Sequence, residues 1–243
     1  MRYAVLGDIH ANLTALEAVL EAIDRVDVDA VLSVGDVVGY GAKPKEVVGL
    51  LREIGAEVVK GNHDAAVVGE LDTRLFNPLA KDAAEWTRKS LGRDDRSWLR
   101  KLPLVKELEH CSLAHGTFAH PERFAYVQTT EDADPSLDSM GSSVCFVGHT
   151  HVPVAIMRLK DTPRTGYTVA QQVDLSEADR ALINVGSVGQ PRDEDHRAAW
   201  ALFDTEAETY ELFRVDYDVD REAALIREAG LPSMLADRLF LGV

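Results

Sequence analysis

The sequence is poor in cysteine and in positive charge, and it has no long apolar run. Two cysteines in 243 residues exclude a disulfide-stapled scaffold and fit a reducing compartment. Lys and Arg number 26 against 41 Asp and Glu, and the net charge of −15 opposes general binding to nucleic acid or anionic membranes. No stretch approaches the roughly 18 apolar residues of a membrane helix. The first apolar segment is too short for a signal peptide, so we expect a cytoplasmic protein.

The remaining composition is that of an ordinary globular protein. Hydrophobic residues make up 46% of the chain and charged residues 28%. No internal repeat, low-complexity block or flexible linker divides it. We therefore expect a single domain over residues 1–243, large enough to bury a proper core.

Short apolar runs alternate with helical periodicity in the first quarter of the chain. Residues 3–6, 30–34 and 57–60 are typical of strands, and helical spacing follows the first two from about Leu13 and Pro44. This β-α-β-α-β order predicts a parallel sheet with helices on its faces.

The rest of the chain changes from helical to strand-like. Residues 78–102 are predicted to be helical, residues 129–143 to be a surface loop or short helix, and residues 220–229 to form a last helix. Short β-like runs fill the region after Pro103: residues 104–108, 111–114, 144–147, 152–159, 181–185, 198–203 and 210–215. The pattern predicts two sheets within one domain.

Polar side chains that can bind metals follow five of the predicted strands, in each case beside glycine. The segments are Gly7-Asp8-Ile9-His10, Gly35-Asp36, Gly61-Asn62-His63-Asp64, His115-Gly116 and Gly148-His149-Thr150-His151. Five of the eight histidines lie in them. Because ligands collect outside the carboxyl ends of strands in open α/β sheets, we expect these side chains to form one metal site.

In this order, the five segments resemble the signature of the calcineurin-like metallophosphoesterase family: D-x-H, GD, GNH[DE], a single His, and GHxH. The match spans Asp8 to His151. It implies the four-layer α/β (α+β) fold of that family, a two-sheet β-sandwich flanked by helices. The chain looks most like the small bacterial and archaeal phosphoesterases.

The resemblance implies two adjacent metal sites bridged by Asp36. The first would be held by Asp8, His10 and His151, and the second by Asn62, His115 and His149. Nitrogen and oxygen ligands suit two divalent ions of Mn, Fe, Zn or Ni, with the identity left open. A hydroxide bridging the two ions would attack phosphorus in line.

Two further residues of the third segment are candidates for catalysis. In the family, the histidine equivalent to His63 stabilises the transition state or protonates the leaving group, a task that imidazole suits near neutral pH. Asp64 either orients His63 or caps the segment that follows.

The second segment departs from the protein serine/threonine phosphatases and the symmetrical dinucleoside tetraphosphatases. Those enzymes have GD-x-x-D-R-G, whereas here Gly39 replaces the acid and Tyr40 replaces the phosphate-gripping arginine. We therefore predict a phosphodiesterase or phosphatase that acts on small phosphate esters such as nucleotides, with Tyr40 on the substrate side. A protein phosphatase, a dinucleoside polyphosphate hydrolase and a non-catalytic scaffold of the same fold remain as alternatives.

A second glycine-rich element, residues 184–192, is similar to the GSVGxPR segment of related small phosphoesterases. We expect Ser187 and Arg192 to contact substrate, because a hydroxyl and a guanidinium both bind phosphate oxygens well. The alternative is a tight turn with a solvent-facing arginine. The sequence does not predict an oligomeric state.

Overall fold

The computed structural model describes residues 1–243, except for the side chains of Leu75 and Pro163. Two mixed β-sheets of six strands are flanked by eight α-helices. The strands are β1 (Arg2–Leu6), β2 (Ala30–Ser33), β3 (Glu57–Val58), β4 (Val105–Glu107), β5 (Ser112–Ala114), β6 (Val144–Val147), β7 (Val154–Leu159), β8 (Thr162–Thr168), β9 (Gln172–Asp174), β10 (Ala178–Asn184), β11 (Ala198–Asp204) and β12 (Thr209–Val215). The helices are α1 (Leu13–Ile23), α2 (Pro44–Glu53), α3 (Asn62–Val68), α4 (Pro78–Ser90), α5 (Arg93–Lys101), α6 (Thr130–Ser139), α7 (Val219–Glu228) and α8 (Ser233–Asp237).

The strand order is β3-β2-β1-β11-β12-β9 in the first sheet and β4-β5-β6-β10-β7-β8 in the second. Strands β1 to β3 are parallel to one another, whereas β11 joins β1 in the antiparallel sense. In the second sheet, β5, β6 and β10 are mutually parallel. The carboxyl ends of β1, β2, β5 and β6 carry four of the five segments that the sequence singled out.

Successive side chains of each strand point to opposite faces of its sheet, and this alternation determines which apolar layer each residue packs into. On β1, Tyr3 and Val5 pack into the core between the two sheets, while Ala4 and Leu6 pack against the helical layer that contains α1. On β10, Ile183 faces the core between the sheets, and Leu182 faces the cluster that contains residues of α6. This period of two follows from the pleat, and it buries both faces of each sheet between apolar layers.

Most of the predicted elements are present, with different bounds. The helical region 78–102 is two helices, because the backbone turns to an extended conformation at Leu91, which caps the first helix, and Gly92 caps the start of the second. The predicted strand 57–60 is shorter, since the amide of Lys60 donates to the carbonyl of Pro103 instead of to the sheet. Residues 129–143 contain α6. The sequence analysis did not predict α3, α8, β8 or β9.

Cys111, just before β5, and Cys145, within β6, are free and buried. Among the described residues, no helix is both long enough and apolar enough to cross a membrane.

Candidate metal centre

Left-handed backbone is concentrated where the strands end. Of ten non-glycine residues with positive φ in the described part of the chain, eight lie in these loops: Asp8 (49°), His10 (49°), Ala11 (54°), Asp36 (50°), Tyr40 (59°), Phe124 (47°), His149 (69°) and His151 (62°). Each such residue costs about 1–3 kcal/mol, and strain of this kind gathers at functional sites. The surrounding fold holds these loops in conformations that bring the side chains together.

Asp8, His10 and His151 form the first group. The Nε2 atoms of His10 and His151 lie 3.2 Å apart, and His151 Nε2 lies 3.4 Å from Asp8 Oδ1. Gly148 makes this approach possible, because a β-carbon there would collide with the carboxylate of Asp8. The backbone amide of His149 donates to the same carboxylate, at 2.9 Å from Oδ2.

Asn62, His115 and His149 form the second group. His115 Nε2 lies 2.9 Å from Asn62 Oδ1 and 3.1 Å from His149 Nδ1. Asn62 is the first residue of α3, so the start of that helix delivers its side chain to the site. All three side chains are buried.

Asp36 lies between the two groups. Its Oδ2 atom is 3.6 Å from His10 Nε2 and 3.4 Å from His115 Nε2, while Oδ1 accepts a hydrogen bond of 2.8 Å from the backbone amide of His63. One carboxylate oxygen is thus fixed by the protein, and the other faces both groups.

Three histidines of the site have their second nitrogen bonded to a backbone carbonyl. The Nδ1 atoms of His10, His115 and His151 lie 3.2, 2.9 and 2.6 Å from the carbonyls of Val38, Val34 and Gln190. Only a protonated Nδ1 can donate to a carbonyl, so each neutral ring presents its Nε2 lone pair to the site. Metal-binding histidines have this arrangement.

Burial dominates the electrostatics of Asp8, His10 and His151. In the described part of the chain, no Lys or Arg forms an ion pair with Asp8 or Asp36; the basic groups within 4.0 Å of their carboxylates are the imidazoles of His10, His115 and His151. Burial raises the pKa of Asp8 to about 7, and it holds the pKa values of His10 and His151 well below the usual 6.5. Without a cation, the site therefore favours the uncharged forms of these three groups.

These residues fit a metal ion. Three overlapping groups have ligand atoms within 4.8 Å of one another: Asp8, His10 and His151; His10, Asp36 and His63; Asp36, His115 and His149. All their side chains are buried, and oxygen and imidazole donors suit divalent transition metals.

His63 lies at the edge of the site, packed among rings. Its ring centroid is 4.5 Å from that of Tyr40, 4.9 Å from that of His10 and 5.1 Å from that of Phe76. Burial lowers the pKa of His63 to about 4. Its Nδ1 is buried without a hydrogen-bond partner in the described structure and lies against Gly39, where any β-carbon would collide with it. Gly39 thus provides space for His63 rather than a carboxylate partner.

Asp64 acts as a cap. Its carboxylate accepts hydrogen bonds from the backbone amides of Gly61, Val38 and Val37, at 2.9, 3.2 and 3.4 Å. These bonds close the N-terminus of α3 and tie it to the loop that carries Asp36. Of the two roles that the sequence left open for Asp64, the hydrogen bonds favour capping over orienting the ring of His63.

Ser187 differs from its expected role. It is fully buried, and its hydroxyl donates to the carbonyl of Asp8 at 2.7 Å and accepts from the amide of Gln190 at 2.8 Å. The hydroxyl holds the strained backbone of Asp8 and has no exposed surface for a substrate. The expectation of direct substrate contact is replaced by a positioning role.

Arg192 stays a candidate for substrate contact. Its guanidinium carbon lies 5.9 Å from the Tyr40 ring centroid, and Nη2 donates to Gln190 Oε1 at 3.1 Å. Nε is buried without a partner in the described structure. Tyr40, 6% exposed, packs against both His10 and His63.

Arg238 was missed by the sequence analysis. It follows α8, and Leu235, Ala236 and Leu239 around it form one apolar cluster with Tyr40. Burial and the nearby guanidinium of Arg192 lower the pKa of Arg238. The C-terminal residues after Arg238 are held in place because the amide of Glu194 donates to the carbonyl of Gly242. No local sequence motif identifies Arg238, because its proximity to Arg192 and Tyr40 depends on packing between distant segments.

Comparisons with known proteins show the family of the chain. Residues 1–208 match the family model described as the calcineurin-like phosphoesterase superfamily domain. An uncharacterized protein of Methanocaldococcus jannaschii is 36% identical, covering 98% of this chain and 97% of that protein.

Two crystal structures are similar over the whole chain. A metallophosphoesterase from Sphaerobacter thermophilus is 38% identical, with a TM-score of 0.86, covering 100% of this chain and 99% of that one. A hypothetical protein from Pyrococcus horikoshii shares the fold, with a TM-score of 0.83 at 21% identity, covering 100% and 98%.

Proposed function

Because the chain belongs to the calcineurin-like phosphoesterase superfamily, we propose that it is a two-metal hydrolase of small phosphate esters such as nucleotides. The observation that carries this proposal is the place of Asp36. Its free Oδ2 atom lies between His10 and His115, within 3.6 Å of both. Asp8, His10 and His151 would hold one divalent ion, Asn62, His115 and His149 the other, and Asp36 would join them.

The chain's own groups divide the remaining work. Two bound cations would supply a nucleophilic water and offset the charge of the phosphoryl group. His63, at the edge of the site, would donate a hydrogen bond or proton to the leaving oxygen. Arg192 would hold phosphoryl oxygens, and Ser187 and Asp64 would keep the loops of Asp8 and Asp36 in place.

The protein phosphatase and dinucleoside polyphosphate hydrolase alternatives gain no support from the site. Gly39 lies against His63 where those enzymes carry an acid, and Tyr40 occupies the place of their arginine. The scaffold alternative predicts eroded ligands, whereas all seven ligand candidates and His63 are present. We also expect the cytoplasm as the compartment, which the free, buried cysteines support.

Assays of p-nitrophenyl phosphate and bis-p-nitrophenyl phosphate test the proposal. Each is incubated with the protein and with Mn, Fe, Zn or Ni in turn. We expect hydrolysis of at least one ester with at least one metal, and its abolition by a chelator. If neither ester is cleaved with any metal, the proposed hydrolase function is wrong and the scaffold alternative is favoured.

Arg192 gives a first prediction about substrate binding. Loss of one charge-assisted hydrogen bond worth about 1.5–3 kcal/mol lowers kcat/KM roughly ten- to a hundredfold. Arg192→Ala should show this loss with unchanged metal content. Arg192→Lys should recover part of it, because an ammonium lacks the guanidinium fork. Wild-type kinetics for Arg192→Ala on every ester would show that the loop is only structural.

A further inference from the structure

A cleft of about 420 Å³ opens beside the candidate metal centre. His63, Asn62 and His149 line its inner end. One wall is lined by Leu71, Asp72, Phe76, Asn77 and Ala80, and the other by Arg123, Phe124 and Tyr126. This volume lies within the range of pockets that hold small organic ligands.

The wall of residues 123–126 presents an aromatic face. The Tyr126 ring is stacked on the imidazole of His149, with centroids 3.8 Å apart and planes inclined by 18°. Tyr126 remains 52% exposed, so the ring surface turned away from His149 is free. A flat, free ring that touches a metal-ligand candidate is suited to stacking on a planar group close to the reacting centre.

The backbone holds this wall firmly. Phe124 has a left-handed φ of 47° and is only 8% exposed, and its ring lies 6.0 Å from that of His115. The loop approaches so closely that a β-carbon on Gly116 would come within 2.6 Å of the Ala125 carbonyl. Such strain is tolerated where the surrounding contacts fix the loop, so Tyr126 is preorganised rather than free to turn away.

The opposite wall adds a second ring and a few polar groups. Phe76 packs against His63, at 5.1 Å between centroids. Asn77 accepts a hydrogen bond from the Ala80 amide through Oδ1, which leaves its NH₂ group as a donor. Arg123, 70% exposed, stands at the rim. Ring faces on both walls favour a planar aromatic ligand, and Asp72, Asn77 and Arg123 provide groups that can hydrogen-bond to its polar edge.

We propose that this cleft binds a planar aromatic group on the alcohol part of the substrate ester, stacked on the free face of Tyr126. The inference rests on the proposed function, since the phosphoryl group of the same molecule would lie at the metal ligands. A nucleobase and a simple aryl ring share the required chemistry.

Calorimetry on the metal-loaded protein tests the cleft by measuring the affinity for two pairs of probes. The members of each pair differ in whether they carry an aromatic group. Phenylphosphonate is compared with methylphosphonate, and the non-hydrolysable phosphonate analogue of AMP with that of ribose 5-phosphate. Stacking on protein rings predicts a preference of about tenfold for the aromatic member of at least one pair. A larger preference within the AMP pair identifies a nucleobase site, and a preference confined to phenylphosphonate identifies an aryl site. Equal binding within both pairs overturns the proposal.

Three variants localise the preference. Tyr126→Ala should reduce the aromatic preference at least about fivefold while methylphosphonate binding and metal content stay unchanged, and Tyr126→Phe should keep it. Phe76→Leu removes the second ring and should weaken the preference in the same direction. Tyr167→Ala, on the edge strand β8 and 71% exposed, is the matched control and should behave as wild type. A preference that survives in both Tyr126→Ala and Phe76→Leu contradicts the assignment.

Failure of the cleft and failure of the proposed function have different signatures. If the protein hydrolyses esters but binds both members of each pair equally, the proposed function stands and the proposal about the cleft is wrong. If the protein hydrolyses no ester with any metal, the proposed function is wrong, whatever the binding ratios. The wild-type ratios decide even if a variant fails to fold.

Discussion

Asp36→Asn should abolish phosphate ester hydrolysis while leaving the fold largely intact. The asparagine can still accept the 2.8 Å hydrogen bond from the His63 amide, but it loses the charge that Oδ2 presents to both histidine groups. We expect a loss at least as large as the roughly 10²–10³-fold cost of removing one transition-state donor. The measurement is kcat with saturating metal, beside the metal content and the urea midpoint of the variant.

The control for Asp36→Asn is Asp24→Asn, which removes an exposed carboxylate at the end of α1. It changes the net charge equally and should leave kcat unchanged. Near-normal activity of Asp36→Asn at saturating metal would contradict the bridging role. Collapse of the fold in that variant would mean that Asp36 serves stability instead.

His63→Ala should lower kcat by about 10²–10⁴, the usual contribution of a positioned acid or base. The ring lies at the site, and its contacts with Tyr40 and Phe76 keep it in one orientation. Metal content should hardly change, because Asp8, Asp36 and the other histidines remain. The measurement combines steady-state kinetics with metal analysis of the purified variant.

Metal analysis decides whether His63 is a catalytic acid or a metal ligand. The second role is also open to it, because its ligand atom lies within 4.8 Å of those of His10 and Asp36. Loss of metal together with activity would place His63 among the ligands and contradict the acid role. His110→Ala is the matched control, because the His110 ring lies 6.5 Å from that of Tyr3, at a tilt of 49°, and outside the metal-ligand groups of the described structure. It should leave both readouts at wild-type values.

The location of the candidate site could be predicted from sequence because its signals are local. Each apolar strand, its glycine and the polar residue that follows lie within a few positions, as in Leu6-Gly7-Asp8 and Val147-Gly148-His149. Parallel pairing brings such ends together within each sheet, β1 to β3 in the first and β5 and β6 in the second, and the packing of the two sheets joins the two sets. The seven ligand candidates accordingly lie together in the structure.

The roles of Ser187 and Asp64 could not be predicted in the same way. A hydroxyl in a glycine-rich loop looks available to substrate, yet that of Ser187 is occupied by the backbone of Asp8, 179 residues away. Asp64 had a capping alternative from its position, but its bond to Val38 depends on the tertiary fold. Tyr126 reaches the ring of His149 only through packing, and no residue pattern near it carries that information.

The edge strands show the same limit for the fold. Residues 162–168, Thr-Pro-Arg-Thr-Gly-Tyr-Thr, form β8 without an apolar alternation, because an edge strand buries little and tolerates Pro. Helix α6 shows a local signal that the fold overrides. Pro135 makes a loop plausible, but the Thr129 cap and the buried Ala133 and Leu137 stabilise the helix around it. Burial by neighbouring layers thus outweighs the local preference in α6, whereas antiparallel pairing with β7 does so in β8.

The most direct test of the two-metal account is a titration of the chelator-stripped protein with a single activating divalent metal. Hydrolysis of the best chromogenic ester is followed together with bound metal, measured per chain. The account predicts no activity without metal and full activity when two ions are bound per chain. Full activity of the metal-free chain, or activity that saturates at one bound ion, would contradict it.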